Sequence, residues 1–413
     1  MIKSNTVFVP KYLNDFNCIG SKCEDNCCYG WKVQINEDMY KKYKKVPNNQ
    51  IKPVLEKFIT RNRSNPTAEN YAKIRMDSNG NCPFLNEDKL CNIHLTLGSE
   101  YLSKVCTTYP RVTNIVNGIY EKSLSLSCPE ITRMVILNPN IMEFEEIKEP
   151  TATPNIINMN INTDDNKYSN KVHKYFWDLR IFAITLLQNR NYKVWERLII
   201  LGFFIRKVDR YAEEGSTNLI PTLVNDYNNL IDDGIFNQEL ENIPTRVEIQ
   251  MEFMKKLNDL RLLSGMPQNT NSYVTCVIEF LKGLDYTDEA DIDEVTSRYN
   301  NAYRDYYKPF MDEHEYMLEN ILVNTTFMNM FPVNSSKGVF EGYMVLVATF
   351  ALIKMMLIGI SAYHKGLNED IIIKLIYSFS RTIEHSGFLN SIINTINENE
   401  YNSLAHMAVL IKN

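Results

Sequence analysis

Eight of the nine cysteines in this chain fall between Cys18 and Cys128, and the ninth, Cys276, stands alone in the apolar stretch VTCVIEFL. The eight are Cys18, Cys23, Cys27, Cys28, Cys82, Cys91, Cys106 and Cys128. The first four follow C-x4-C-x3-C-C and the last four C-x8-C-x14-C-x21-C. Thiols concentrated in this way pair as disulfides, hold zinc, or hold an iron–sulfur cluster. An even number suits disulfides. The start, MIKSNTVFVPKYLNDF, shows no apolar export run, however, so the expected location is the reducing cytoplasm, where disulfides rarely persist. Structural zinc favours short knuckles. Cys23-x3-Cys27 makes one, but the later cysteines are widely spaced singles. An iron–sulfur cubane takes four thiolates and accepts such singles, and Cys82-Pro83 and Cys128-Pro129 match the cysteine–proline pairs of ferredoxin-type ligation. The expected group is therefore an iron–sulfur cluster of the 4Fe–4S type, with zinc as the alternative. Eight thiols exceed the need of one cubane. Neighbouring side chains in extended backbone point oppositely, so Cys27 and Cys28 suggest two sites, or one ligand beside one packing residue. Cys276 reads as a small core residue.

Other polar groups stand near these thiols in sequence. His94 reads as a core hydrogen-bonding histidine before a metal ligand. Arg111 is a candidate partner for an anionic cluster or for a carboxylate, and Trp31 a candidate cover for the site. Far downstream, Arg381, Glu384 and His385 are expected to form a helix-surface or interdomain network. The catalytic residues and the cofactor-binding pocket are not identifiable from the sequence.

The elements that must position these groups divide the chain. The expected fold class is mainly α: a small, irregular, cysteine-rich metal domain with a few short strands, followed by an all-helical domain. The expected boundaries are 1–146 for the first, 147–168 for a linker rich in proline and asparagine, and 169–413 for the second. Strands are expected at 31–36 and at 120–127, where serine alternates with leucine, and a short helix before Asn48. Helical periodicity predicts helices over 173–189, 194–214, 245–263, 339–364 and 368–385, and a helix or helix pair over 298–324 broken near Pro309. The run from Tyr343 to Tyr363 is long enough to span a bilayer, but Lys354 sits within it and no second span accompanies it. A buried core helix is expected and no membrane insertion. The formal net charge of −6 leaves no basic field for nucleic acid. Neither a βαβ alternation nor a GxGxxG, P-loop or HExxH motif occurs.

The cysteine segments CIGSKCEDNCCYGW, NCPFLNEDKLCNIHLTLGSEYLSKVCTTYPR and EKSLSLSCPE resemble the flagellin lysine N-methylases. The part through Tyr109-Pro110 is also similar to a wider cysteine-rich zinc- or iron-chelating domain family. The resemblance continues in RLIILG (197–202), YMLENILVN (316–324) and SFSRTIEH (378–385), and so covers nearly the whole chain. It implies a protein-lysine N-methyltransferase acting on flagellin, with S-adenosylmethionine as methyl donor and an iron–sulfur cluster held by some of the eight cysteines. One departure from radical chemistry is that C-x3-C-x2-C is lacking: Cys23-x3-Cys27 is followed at once by Cys28.

Such chemistry needs a neutral lysine, whose unperturbed pKa is about 10.4. Aromatic faces and carboxylates would hold the amine and the cationic donor. Tyr299, Tyr303, Tyr306, Tyr307 and Tyr316, close to Glu313, Glu315 and Glu319, are candidates, although one amphipathic helix with half-buried tyrosines accounts for them as well. The rival function is a non-catalytic metal carrier or sensor whose helical domain docks a partner.

Overall fold

The structure is a computed structural model that describes residues 4–29, 32–47, 50–78, 80–151, 153–263, 271–287, 289–384 and 388–413. It is mainly α, with two small sheets in the N-terminal part. The first sheet has the order β7-β1-β6-β5-β8, built from β1 (Ser4–Pro10), β5 (Arg111–Val116), β6 (Ile119–Leu124), β7 (Phe144–Pro150) and β8 (Ile157–Ile161). β1 runs parallel to β6 and antiparallel to β7, while β5 is antiparallel to β6 and parallel to β8. The β5–β6 turn is Asn117-Gly118, with both φ angles positive at 50° and 79°. That conformation matches the twist of a two-residue hairpin and favours this residue pair.

The second sheet is antiparallel, in the order β2-β4-β3: β2 is Gln34–Ile35, β3 Ile59–Arg61 and β4 Ala72–Ile74. Beside it lie the helices Glu37–Lys44 and Lys52–Phe58. The first starts at Asn36, whose side chain accepts from Met39 N at 2.9 Å. Val33, Ile35, Tyr43, Leu55, Ile74, Phe84 and Ile93 form a small core here, separate from the main one, with Cys82 and Cys91 packed against it.

The main core belongs to the helical body. Its central element, Val339–His364, is long and apolar enough to cross a membrane, yet 89% of its most apolar window is buried inside the protein. As expected for a core helix, it is wrapped by neighbours. Gly359 lets the helix Asn271–Leu284 approach so closely that a Cβ on Gly283 would meet the Gly359 carbonyl oxygen. The buried Lys354 donates to Ile411 O at 2.8 Å and so pins the final helix, Leu404–Ile411.

Buried polar bonds fasten the five-stranded sheet to this body. Arg180, in Phe176–Leu187, meets Glu121 of β6 through two bonds of 2.7 and 2.6 Å, with both side chains almost fully buried. The helix Tyr316–Met328 adds a ladder of amides. Asn320 donates to Val135 O and Asn138 O at 2.9 and 2.8 Å, Asn324 donates to Leu124 O at 3.2 Å, and Tyr12 donates to Asn324.

Several expectations are refined. The stretch expected as a linker, 147–168, contains the end of β7 and all of β8, because β7 pairs along its whole length with β1. Of the expected 31–36 strand, residue 31 lies outside the described residues and within 32–36 only Gln34–Ile35 is strand, while the expected 120–127 strand ends at Leu124. Pro309 does not break the helix. It sits in the first turn of Lys308–His314, and the missing N–H is accommodated by a wider π-helical turn at Tyr303–Tyr307.

The position of Lys354 has a measurable consequence. Burial lowers its pKa from the usual lysine value to about 7, against the opposing effect of Glu315. Between pH 7 and about 10.4 the unfolded chain binds a proton that the folded chain lacks, so stability rises with pH across that window and levels off below it. Lys354→Met should therefore be more stable than the parent protein at pH 7. The parent should close that gap by up to about 1.4 kcal/mol per pH unit as pH rises. Denaturant unfolding at pH 7, 8 and 9 measures this, and a gap independent of pH would mean that Lys354 stays charged in the fold.

Candidate functional site

Four separated chain segments bring the cysteines together. The Cys27–Cys28 turn is set by Asn26, whose side chain accepts from Cys28 N at 2.9 Å. Its backbone then runs beside the second segment: Cys82 N donates to Cys28 O at 2.9 Å, and Tyr29 bridges to Asn81. Residues 82–91 fold back as a tight loop. Asn86 accepts from Leu90 N at 2.8 Å, Asn92 N donates to Phe84 O at 2.7 Å, and Leu85 pairs with Cys91. Cys82 and Cys91 thus stand at the base of one loop. Cys106 lies in the short helix Lys104–Thr108, capped by Ser103. Cys128 takes the N-cap position of Pro129–Ile136 without a side-chain capping bond, and the backbone N–H groups of Glu130 and Ile131 favour its thiolate.

The thiols divide into neighbourhoods. Cys27, Cys28, Cys82, Cys91 and Cys106 sit close enough that the charge of one raises the thiol of another: Cys82 and Cys91 act on Cys28, and Cys82, Cys91 and Cys27 act on Cys106. Tyr43 feels Cys106, Cys91 and Cys82 from the small core below. Cys128 senses Cys23 and Cys27 on the other side. The Cys28 thiol donates to Cys27 and draws the Cys27 thiol below its ordinary value, with Arg381 adding to the effect. That same bond, with burial, pushes Cys28 well up. Burial pushes Cys82 and Cys128 up to about 11 and Cys106 up to about 12. Cys18 is exposed at the edge, and Cys276 is buried in the helical core, as expected for a packing residue.

A thiolate-bound metal group fits this donor set in kind. None of the nine cysteines, all among the described residues, is in a disulfide. Cys27 and Cys106 are exposed as residues, yet the protein around them partly withdraws their thiols from water. The core beneath is small, and a unit of that size ordinarily needs a disulfide or a metal to hold it. Among the described residues no three Cys, His, Asp or Glu side chains are already drawn into a coordination shell. The thiols converge, and a cation would have to draw them in and displace their protons.

Of the other candidates, Arg381 proves central. Its guanidinium lies 2.7 Å from Asp25 Oδ1, between Cys23 and Cys27 in sequence, and donates to Asp25 O and Ser127 O at 3.2 and 3.1 Å. The expected interdomain network therefore exists at Arg381. The side chain of Glu384, with Trp31 and His385, lies outside the described residues. His94 is exposed rather than a core histidine. Arg111 is exposed and stacks over Phe16 at 5.4 Å.

The tyrosine-rich segment is mostly core. Tyr299 is buried and bonds to Gln250, and Tyr307 is buried under a stacked Tyr303. Lys365 lies over Tyr306, and Tyr316 sits beside His314. Glu319 is buried in ion pairs with Arg190 and Arg197, Glu315 accepts from Val194 N, and Glu313 is exposed. These groups do not converge on one aromatic channel. The roles of Arg180 and Glu121 were not foreseen, since nothing in the sequence pairs two charges so far apart.

The family described as FliB lysine N-methylase C-terminal domain matches residues 180–410, more than half of the chain. The chain is similar to the lysine-N-methylase of Salmonella choleraesuis (strain SC-B67), with 26% identity over 402 residues and 94% of each chain covered. It is similar to the lysine-N-methylase of Salmonella typhimurium (strain LT2) to the same degree, 26% over 400 residues and 94% of each. Residues of the flagellar biosynthetic protein FliU of Salmonella muenchen are 35% identical over 148 positions, covering 36% of this chain and 86% of that protein. No solved structure matches.

Thiol reactivity should follow the described geometry. In reduced, chelator-treated native protein near pH 8, iodoacetamide should label Cys27 early. Cys276, buried and pushed up to about 12, should be labelled only on unfolding. Mass-spectrometric mapping over time reads this, and equal labelling rates would contradict the placement of Cys276.

Proposed function

Because the chain belongs to the FliB lysine N-methylase family, we propose that it is a cytoplasmic protein-lysine N-methyltransferase that takes S-adenosylmethionine as donor and flagellin as substrate. That it is a lysine methyltransferase rests on the near full-length similarity to lysine-N-methylases. The flagellin substrate is supported by the flagellar name of a third relative. The metal group we propose is an iron–sulfur cluster, with zinc as the alternative. The observation that carries it is the approach of thiols from three chain segments, those of Cys27–Cys28, Cys82–Cys91 and Cys106, beside a small core.

Cys27, Cys82, Cys91 and Cys106 are the residues that would hold the group, since they lie in the larger neighbourhood. Cys28 packs against Cys27, and Cys23 and Cys128 flank the site near Arg381. An iron–sulfur group supplies Lewis-acid or one-electron chemistry that thiols alone lack. The transfer breaks the carbon–sulfur bond of the donor sulfonium, forms a carbon–nitrogen bond on the lysine, and releases one amine proton. The amine must therefore be neutral when it reacts. A cationic donor beside it favours the neutral form, and so does removal from water.

The experiment is co-expression with flagellin followed by mass spectrometry. Methyl-lysine should appear with the parent protein and fall by at least ~10-fold with Cys82→Ser or Cys106→Ser, the scale reached when even the supports of a metal site are lost. Anaerobically purified protein should be brown and contain iron and acid-labile sulfide, both lowered in these variants and unchanged in Cys276→Ser. Stoichiometric zinc without sulfide would replace the iron–sulfur assignment. Flagellin bound tightly without added methyl mass, with donor supplied, would overturn the substrate assignment in favour of a docking role.

A further inference from the structure

Arg381 is a cation with more hydrogen-bonding capacity than its surroundings use. Its side chain is 7% exposed. A guanidinium cannot shed its proton, so burying it demands compensation from charge and acceptors. The structure supplies one carboxylate and two carbonyls. Asp25 Oδ1 is 2.7 Å from Nη1, in an ionic contact that is not a well-directed hydrogen bond, and Nη2 reaches Asp25 O and Ser127 O. Among the described residues Nε has no acceptor, nor does Nη1 beyond that ionic contact. A buried donor without an acceptor asks for a missing partner.

Its position identifies that partner. Asp25 lies in the loop between Cys23 and Cys27, and Ser127 immediately precedes Cys128. Arg381 thus ties two cysteine segments, far apart in sequence, to the helix Glu369–Glu384. Tyr377, one turn earlier on that helix, places its ring 5.9 Å from the guanidinium. Tyr109, whose hydroxyl is 3.2 Å from Ser127 Oγ, lies within reach of the same charge. Cys23 and Cys27 both feel the Arg381 charge, which favours their thiolates. Four thiolates around either iron or zinc leave a net anionic centre, and sulfur accepts hydrogen bonds from such donors.

We propose that Arg381 is a positioning residue for the thiolate centre: it holds the Cys23–Cys28 loop and the Cys128 corner against the helical body, and its unused N–H groups and charge are directed at thiolate sulfur. The inference rests on the metal-centre assignment above. It makes the helical body a contributor to the electronic properties of a centre whose cysteines all lie elsewhere in the chain.

The test compares Arg381→Met, Arg381→Lys and Asp25→Asn in full-length protein purified anaerobically, reading metal retention against a chelator and, for the iron–sulfur group, its midpoint potential; a zinc centre has no redox couple and is judged on retention alone. Arg381→Met should release metal about 10-fold more readily and shift the potential to a more negative value, because a nearby positive charge favours the reduced state. Arg381→Lys should recover part of the potential but less of the retention, since it restores charge without the fork. Asp25→Asn should shift the potential in the opposite direction. If Arg381 served only to anchor the loop through Asp25, Asp25→Asn and Arg381→Met would shift it alike, and the inference would fail. It also fails if metal-loaded Arg381→Met matches the parent in both measurements. Parent protein that carries no metal would overturn the metal-centre assignment and this inference together, an outcome separable from the other two.

Discussion

The ion pair between Arg180 and Glu121 is the constraint on which the arrangement turns. Its two charges come from a helix of the main body and from the third strand in the sheet order, and neither reaches water. Phe176, Trp177 and Phe327 surround the guanidinium at 4.5, 4.5 and 5.0 Å from their ring centres, so the pair can separate only by exposing an uncompensated charge to an apolar cage. Breaking such a pair from one side costs about 3–5 kcal/mol. This penalty specifies position more than it adds stability. Given β6 fixed at Glu121, Leu124 meets Asn324, Ser125 and Ser127 close the corner with a 2.6 Å bond between their hydroxyls, and Cys128 takes the N-cap position of the next helix. The last cysteine is therefore placed by the helical body.

The other cysteines are placed differently. Cys82 and Cys91 depend on a local loop, Cys27 and Cys28 on backbone bonds to that loop, and Cys106 on a one-turn helix with a serine cap. Each device is weak alone, and the core beneath is small. Thiols that raise one another through like charge also oppose their own ionisation. A bound cation would relieve that opposition and draw the segments together, and under the proposed metal centre its binding would be coupled to the folding of this part. Large sequence gaps between single cysteines are then natural, because the partners meet through tertiary packing and not through a knuckle.

How much of this was legible follows from the range of each interaction. The helix Val194–Glu213 is written in local periodicity and Val339–His364 in the length of its apolar run, signals that survive without knowledge of the partner surface. The cysteine set was legible because thiols are rare elsewhere in the chain. The Asn117-Gly118 turn was legible in principle, being the strongest short-range hairpin signal, and it joins Arg111–Val116 to Ile119–Leu124. β7 and β8 were hidden because they join edges of the sheet, where the strand sequences FEEIKEP and INMNI show little burial. Local patterning cannot reveal that β7 pairs with a strand more than a hundred residues earlier. The tyrosines misled for the opposite reason: their composition suggested a binding surface, while Tyr299 and Tyr307 fill the core beside a π-turn.

Three buried cations show three ways of resolving the same problem. Arg180 is answered in full, by a bidentate carboxylate and three rings. Lys354, facing one carbonyl with Glu315 nearby, has the option of losing its proton, and burial moves it toward doing so. Arg381 has neither resolution. It cannot deprotonate, its carboxylate partner Asp25 is a quarter exposed, and part of its guanidinium fork meets no acceptor among the described residues. A protein that fully satisfies one buried arginine and leaves another incomplete beside its thiols has placed that incompleteness where an anionic ligand set would complete it.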